Sequence, residues 1–217
     1  MGRNVTTADK QNGPPRTVAI LCASRKTAYR EIPDLEIYDE VRDARTFTGG
    51  MPVIAHPPCR RWTKFGMAMA KARFTRCGKK IPQDEIDAER ELGLFCTHMV
   101  MENGGIVEQP AGSKLFTAAR LPLPGSMQSP HSFTLEVWQK WWGYPVKKAT
   151  WLYFRGIPMN AIEIPYRLYT PARREQWRWY NNGAGSGQAN THTRSMTVPS
   201  LAQWLVHLAR QTLRRNP

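Results

Sequence analysis

Cysteine is scarce in this sequence, and so are long apolar runs. The four cysteines, Cys22, Cys59, Cys77 and Cys96, are widely spaced among 217 residues and form no CxxC pair. That spacing excludes a disulfide framework and a structural zinc site, so we predict a reducing compartment and no bound metal. Charged residues interrupt every apolar run, which excludes a transmembrane helix.

The amino-terminal segment lacks the apolar stretch of a secretory signal peptide. Residues 1–16 are polar and end in Gly13-Pro14-Pro15-Arg16. We expect a flexible leader there and a single α/β domain over residues 17–217, whose carboxyl-terminal part is basic and rich in Trp and Arg. Without a signal peptide, the predicted location is the cytoplasm.

Acidic residues are few compared with basic ones. Lys and Arg number 31 against 17 Asp and Glu, which gives a formal net charge of +14. A charge excess of this size indicates a polyanionic partner, and we favour nucleic acid, DNA before RNA. Eight tryptophans and seven tyrosines supply rings that can stack on bases. Charge alone also fits a basic protein without such a partner, and composition specifies no oligomeric state.

Strand and helix signals alternate along the chain. The predicted strands are Thr17–Cys22, Leu35–Tyr38, Val53–Ala55, Ile106–Val107 and Trp151–Phe154, and the predicted helices are Asp84–Phe95 and Leu201–Leu213. This alternation predicts an α/β fold with a mostly parallel sheet and helices on its faces. The segment before Cys59 is too short for two complete strand-helix units, so we expect a truncated amino-terminal half.

Cys59 follows an apolar run and two prolines, in the sequence Val-Ile-Ala-His-Pro-Pro-Cys. Pro57 and Pro58 restrict the backbone, so the turn that carries the thiol has few conformations. Arg60 and Arg61 follow, and a nearby guanidinium favours thiolate over thiol. The pattern predicts a nucleophile, with a buried, inert cysteine as the alternative. His56 has no acid-base partner visible in the sequence, which favours a hydrogen-bonded loop residue.

Glu108 is the second candidate for chemistry, because it also ends an apolar strand. The carboxyl ends of parallel strands open onto one crevice, so we expect Cys59 and Glu108 to line the same pocket. Partial burial by the sheet would raise the pKa of the Glu108 carboxyl and allow it to donate a proton. The alternative is a surface acid that caps the next helix.

Two clusters combine cations with aromatic rings. The first comprises Arg173, Arg174, Trp177, Arg178, Trp179 and Tyr180, and the second comprises Lys147 and Lys148 with Trp138, Trp141 and Trp142. Such clusters can contact phosphates and stack on an exposed base. The spacing of the three tryptophans in the second cluster favours packing against the core instead.

Three segments resemble successive blocks of the cytosine-5 DNA methyltransferase family, and most closely its small phage-encoded, methyltransferase-like relatives. They are His56-Pro57-Pro58-Cys59, Val107-Glu108-Gln109-Pro110, and residues 142–152 with the sequence Trp-Gly-Tyr-Pro-Val-Lys-Lys-Ala-Thr-Trp-Leu. The segment from Arg194 to Ala202 is similar to the entry of the last helix in the phage relatives, and the resemblance covers about residues 53–210. It implies a Rossmann-like, methyltransferase-like three-layer sandwich, in the cytoplasm of a host cell.

The resemblance also implies roles for individual residues. Cys59 would add to C6 of a pyrimidine and Glu108 would contact the N3 side of the ring. Substrate binding would involve His56, Pro57, Pro58, Arg60, Arg61, Gln109, Lys147 and Lys148, and nucleic-acid binding would involve Arg173, Arg174, Trp177, Arg178 and Arg194. In that family a glycine-rich loop after the first strand holds S-adenosylmethionine, yet Cys22–Thr27 contains no glycine. We therefore predict weak or no binding of this cofactor and leave the donor unspecified.

Three functions remain open at the level of sequence. The first is a DNA pyrimidine-modifying enzyme that acts through a covalent Cys59 adduct at C6. The second is a catalytically inactive nucleic-acid-binding protein that masks sites or blocks a host defence enzyme. The third is a transferase that processes nucleotides. An intact Cys59 and Glu108 favour the first, whereas the missing glycine loop favours the second.

Overall fold

The computed structural model describes residues 16–74, 78–144, 148–165 and 197–213. The strands are β1 (Val18–Leu21), β2 (Leu35–Ile37), β3 (Val53–Ala55), β4 (Gly105–Pro110), β5 (Met127–Ser129), β6 (Ser132–Trp138) and β7 (Ala149–Arg155). The helices are α1 (Lys64–Ala72), α2 (Gln83–Asn103), α3 (Leu115–Ala118) and α4 (Pro199–Arg210). The predicted leader, apart from Arg16, lies outside the described residues.

All seven strands form one mixed sheet in the order β2-β1-β3-β4-β7-β6-β5. The first four strands are parallel, and the remaining pairs are antiparallel. The α/β class is thus confirmed, but the prediction of a mostly parallel sheet holds only for the first half. Short connections explain the difference, because β5 to β6 and β6 to β7 are joined without the helical crossover that parallel neighbours require.

Side chains that alternate along the parallel strands build a core on each face of the sheet. Ile20, Ile54 and Ile106 contribute to one core, which also includes buried residues of α4 such as Leu205. Leu21, Ala55 and Val107 contribute to the other, which includes Cys96 and Val100 of α2. Every one of these residues is fully buried. The near-continuous apolar runs of the sequence therefore fit strands covered on both faces.

The connections between the first three strands are short. The segment from β1 to β2 contains one 3₁₀ turn, Ala28–Glu31, and the segment from β2 to β3 contains another, Ala44–Thr46. Neither connection contains an α-helix, as their length in the sequence predicted. Because β2 and β3 lie on opposite sides of β1, the chain reverses its direction across the sheet there, which leaves a crevice at the carboxyl ends of β1 and β3.

Helix α2 is longer than the sequence pattern predicted, since it continues from Gln83 to Asn103. It stops where Gly104 takes a φ of +78°, and Gly105 follows at +126°. A Cβ on Gly105 would lie 1.9 Å from the carbonyl oxygen of Val53, so only glycine allows β3 and β4 to approach here. Within the residues that the structure describes, no helix has the length and apolar character needed to cross a membrane.

Candidate functional site

A cavity of about 640 Å³ lies at the edge of the sheet where the parallel strands end. Cys59 and Glu108 both line it, as the sequence predicted. The wall also includes Cys22 and Tyr29 after β1, and Asp39 after β2. We call this space the central cavity. The antiparallel strand β7 begins at the same edge, so it brings Lys148 to the cavity from a distant part of the chain.

The loop that carries Cys59 is held in place by backbone and side-chain contacts. The His56 N–H donates to the Leu21 carbonyl at 3.0 Å, and the Cys59 carbonyl accepts from the Trp62 and Thr63 N–H groups at 3.0 and 3.1 Å. Thr63 then caps α1, because its hydroxyl accepts from the Gly66 N–H at 3.1 Å. The thiol is therefore fixed between the end of β3 and the start of α1.

Gln109 clamps this loop to β4. Its buried amide donates to the Pro57 carbonyl, and its amide oxygen accepts from the Ser113 hydroxyl at 3.0 Å. The sequence suggested a substrate-binding side chain at this position. Gln109 lines the cavity together with the two prolines. Both ends of its amide are bonded within the protein, so it positions the prolines, and a direct contact with substrate stays a prediction.

The two arginines after Cys59 differ in position. Arg61 is only 2% exposed and does not line the cavity, and its guanidinium lies 3.0 Å from Glu85 and 2.8 Å from Glu89 of α2. Arg60 lines the cavity, is largely exposed and lies 3.3 Å from Glu89. The geometry therefore supports a substrate contact for Arg60, whereas that of Arg61 stays a prediction. A buried guanidinium with two carboxylates ties the Cys59 turn to α2.

The expectation of a readily formed thiolate is wrong for the free protein. Cys59 is exposed to the cavity, but the protein around it partly removes its thiol from water. This desolvation and the negative charge of Glu108 raise the pKa of the Cys59 thiol above its usual value, against the opposing charges of Lys148 and Arg60. The thiol is accordingly protonated at neutral pH. A ligand that covers or neutralises Glu108 would make thiolate formation easier.

Three side chains lie close to the carboxylate of Glu108. Its Oε2 lies 3.1 Å from His56 Nδ1, and its Oε1 accepts from Gln139 Nε2 at 2.9 Å. Lys148 Nζ is 3.9 Å from Oε1. Burial raises the pKa of this carboxyl, but the charge of Lys148, the hydrogen bond and charge of His56, and the hydrogen bond of Gln139 lower it to about 2. Glu108 is therefore a carboxylate at neutral pH. The prediction that its pKa is raised and that it donates a proton is wrong, because its neighbours stabilise the charged form.

His56 connects Glu108 to a tyrosine that sequence reasoning missed. Its Nε2 lies 2.9 Å from the Tyr29 hydroxyl, so both ring nitrogens of His56 are hydrogen-bonded, as the expectation of a bonded loop residue requires. Burial, and then the charge of Glu108, raise the pKa of Tyr29 well above its usual value. Tyr29 hence stays a neutral phenol. No local pattern marks this tyrosine, because it comes from a short turn after β1.

Gln139 is a second residue that the sequence did not reveal. Its amide nitrogen donates to both Glu108 and, at 3.0 Å, to the Thr150 hydroxyl. The residue follows β6, which ends at the cavity edge because it is antiparallel to β7. Only the pairing order of the strands brings it to Glu108. Trp142, by contrast, is a buried core residue as predicted, although it lies in a 3₁₀ turn.

A basic stretch that could have been read from the sequence begins beside Cys59. Residues 60–80 contain eight Lys and Arg and no Asp or Glu. We call them the basic segment. Its exposed side chains include Lys64, Lys71 and Arg73, which form no ion pair with a described residue, and Phe65 and Phe74, which are 59% and 49% exposed. The feature of the sequence that could have revealed this segment is the absence of Asp and Glu over all of its residues.

Several predicted residues cannot be placed in this site. Lys147, Arg173, Arg174, Trp177, Arg178 and Arg194 lie outside the described residues. In the ranges that are described, no group of three His, Cys, Asp or Glu side chains is arranged to hold a metal ion.

The turn after β1 stands where the sequence resemblance places a glycine loop, and it contains a left-handed residue that is not glycine. Cys22 takes a φ of +59°, a region that favours glycine, even though it carries a side chain. The next amide, Ala23 N–H, donates to the Tyr38 carbonyl at 2.9 Å. This backbone donor is thus used within the sheet.

Comparison with known proteins gives no assignment for this chain. No family model, no curated protein and no solved structure matches it.

Proposed function

We propose that the protein is a DNA pyrimidine-modifying enzyme in which Cys59 adds to C6 of the base and Glu108 stabilises the protonated ring. The observation that carries this proposal is the shared cavity: a cysteine and an ionised, buried glutamate line one space of about 640 Å³. That volume falls within the range typical of small-molecule sites and accommodates a nucleotide.

The fold is compatible with the Rossmann-like, methyltransferase-like architecture that the sequence resemblance implies. Four parallel strands in the order β2-β1-β3-β4 create a reversal point at β1, and ligands of open α/β sheets bind in such crevices. Cys59 follows β3, and Glu108 lies near the end of the adjacent strand β4, at that crevice. Helices α2 and α4 pack on opposite faces of the sheet, as a three-layer arrangement requires.

The proposed reaction begins when the Cys59 thiol loses its proton to water and the thiolate adds to C6. The electron pair of the C5–C6 bond moves into the ring, N3 takes up through water the proton that the thiol released, and the Glu108 carboxylate accepts a hydrogen bond from that N–H. C5 of the resulting enamine is nucleophilic and reacts. Water then removes the C5 proton, the thiolate leaves C6 and N3 releases its proton to water, which restores the aromatic base.

The electrophile that reacts at C5 is not part of this proposal. S-adenosylmethionine is the donor that the resemblance implies, but the residues after β1 do not fit its usual binding. A Cys22 side chain occupies the turn where a glycine is expected, and the Ala23 N–H is already bonded to Tyr38. We therefore derive no step through this cofactor.

A duplex substrate would have to present the base outside the helix, which costs a few kcal/mol. The basic segment supplies compensating phosphate contacts next to the cavity, because it starts immediately after Cys59. Phe65 and Phe74 add exposed rings to the same segment. These features favour a nucleic acid over a free nucleotide as the substrate.

The reaction can be tested without knowing the donor. The enamine formed by addition at C6 takes up deuterium at C5 from D₂O, so cytosine in an oligonucleotide should gain one mass unit. Nucleoside mass spectrometry after digestion measures this gain. We expect exchange with the wild type, none with Cys59→Ser, and a decrease of about 100-fold or more with Glu108→Gln. Glu91→Gln, an exposed glutamate of α2, is the matched control and should exchange normally.

A second function has its own support. The basic segment does not depend on the thiol, whose raised pKa makes it a poor nucleophile in the free protein. A nucleic-acid-binding protein without catalysis would bind oligonucleotides and give no exchange under any condition. Exchange with deoxycytidine monophosphate but not with an oligonucleotide would identify a nucleotide-processing enzyme instead.

A further inference from the structure

Two cysteines outside the proposed chemistry lie next to each other at the wall of the central cavity. Cys22 follows β1 and Cys96 lies in α2, yet their sulfur atoms are only 3.4 Å apart. Cys22 is half-buried and lines the cavity, whereas Cys96 is fully buried. The pair therefore has one sulfur that small molecules can reach and one that they cannot.

The geometry favours a covalent link. A disulfide has an S–S distance of about 2.05 Å, so closure requires the sulfurs to approach by less than about 1.5 Å. Because Cys96 is fully buried, a small oxidant in the cavity reaches the Cys22 sulfur first. Cys96 can then react only with the sulfur that it already contacts, that of Cys22.

We infer that Cys22 and Cys96 form an oxidisable dithiol that a hydroperoxide converts to an intramolecular disulfide. The Cys22 sulfur attacks the peroxide O–O bond, becomes a sulfenic acid and releases one water. The Cys96 sulfur then displaces the hydroxyl group from the Cys22 sulfur, which forms the S–S bond and releases a second water. Two thiols are oxidised and one hydrogen peroxide is reduced.

Closure would reach the proposed site through the backbone. Cys22 follows Leu21, whose carbonyl accepts the His56 N–H at 3.0 Å, and His56 in turn contacts Glu108. A shift of Cys22 towards α2 pulls on this connection. This consequence for catalysis rests on the proposed function, whereas the formation of the disulfide does not.

The experiment uses a Cys59→Ser/Cys77→Ser double variant of the full chain, in which the dithiol contains the only cysteines. After treatment with hydrogen peroxide, we expect the loss of both thiols in a denatured thiol count and a cross-linked Cys22–Cys96 peptide pair in mass spectrometry. Dithiothreitol should restore both thiols. Adding Cys96→Ala should leave a Cys22 sulfenic acid that dimedone traps.

Two results would overturn the inference: oxidation of either cysteine separately to the sulfinic acid, or disulfides found only between chains. Peptide mapping of the oxidised wild type gives the same answer if the double variant does not fold. In the wild type, the deuterium exchange should fall at least several-fold on oxidation and recover on reduction. A normal disulfide without exchange in either state would contradict the proposed function while leaving the dithiol intact.

Discussion

The two ends of the central cavity hold their carboxylates in different ways. At the end lined by Asp39 and Asp43, which we call the β2 end, Asp39 accepts from the Val41 and Arg42 N–H groups and pairs with Arg30, and Asp43 caps a 3₁₀ turn. At the end lined by Cys59 and Glu108, which we call the β3 end, the partners found for Glu108 among the described residues are side chains: His56, Gln139 and Lys148. Backbone donors stabilise a loop, whereas side chains can exchange one partner for a ligand. Only the β3 end has the character of a reaction site.

Two cysteines that line the cavity, Cys22 and Cys59, also differ in their surroundings. Cys22 has a sulfur partner in Cys96, while Cys59 is surrounded by charges of both signs from Glu108, Lys148 and Arg60. One environment favours bond formation within the protein. The other makes the reactivity of the thiol depend on what occupies the cavity.

The largest expected difference concerns access to these sulfurs. In the native protein, iodoacetamide should modify Cys96 at least about 1000-fold more slowly than Cys59, because exposing Cys96 requires opening of the core beneath α2. Peptide mass spectrometry over time measures both rates. The two cysteines should react alike in urea. Equal rates in the native state would mean that the dithiol is not protected by the fold.

Acid should weaken the β3 end more than the β2 end. The pKa of Glu108 is lowered from its ordinary 4.5 to about 2, so its contribution to stability is complete above pH 4.5 and is lost as pH falls towards 2. That contribution is on the order of 3 kcal/mol. Urea unfolding at a series of pH values should show a smaller acid loss for Glu108→Gln than for the wild type. The Arg45 N–H also lowers the pKa of Asp43, but that carboxylate is exposed, so Asp43→Asn should reduce the acid loss less than Glu108→Gln does. The opposite ranking would contradict the assignment.

Charge substitutions should tune the reactivity of Cys59 in opposite directions. Glu108→Gln removes a charge that raises the pKa of the thiol, so alkylation near neutral pH should become faster, and Lys148→Ala should make it slower. Each change should reach about tenfold if the pKa moves by about one unit. The pH dependence of the iodoacetamide rate gives the pKa directly. Asp43→Asn, at the other end of the cavity, should leave that pKa unchanged.

The smallest effect should come from one phosphate contact. Replacing Lys71 in the basic segment by Ala should weaken oligonucleotide binding a few-fold and reduce the slope of log affinity against log salt by about 0.9. Fluorescence anisotropy at several salt concentrations measures both quantities. Arg42→Ala removes a cation that is paired with Glu36 beyond the β2 end, and it should not change the slope. Equal losses in the two variants would show that net charge acts without a defined surface.

The sequence was sufficient for those features that depend on neighbouring residues. Apolar runs located the strands, and the ends of Val53–Ala55 and Ile106–Val107 brought Cys59 and Glu108 to one cavity. The protonation states were predicted with the wrong sign for both groups. Lys148 and Gln139 reach Glu108 only because β6 and β7 pair antiparallel beyond β4, and no local pattern encodes that order.

Helix α2 has a consequence for how the chain tolerates change. About 30 Å long, it holds Arg61 through Glu85 and Glu89 near its start, meets Cys22 at Cys96, and receives the Gly50 N–H at Asn103 near its end. Three loops that follow different strands therefore contact one helix at three positions along its length. A substitution that merely rotates or bends this helix would disturb all three contacts together, although none of the three contacts involves Cys59 itself.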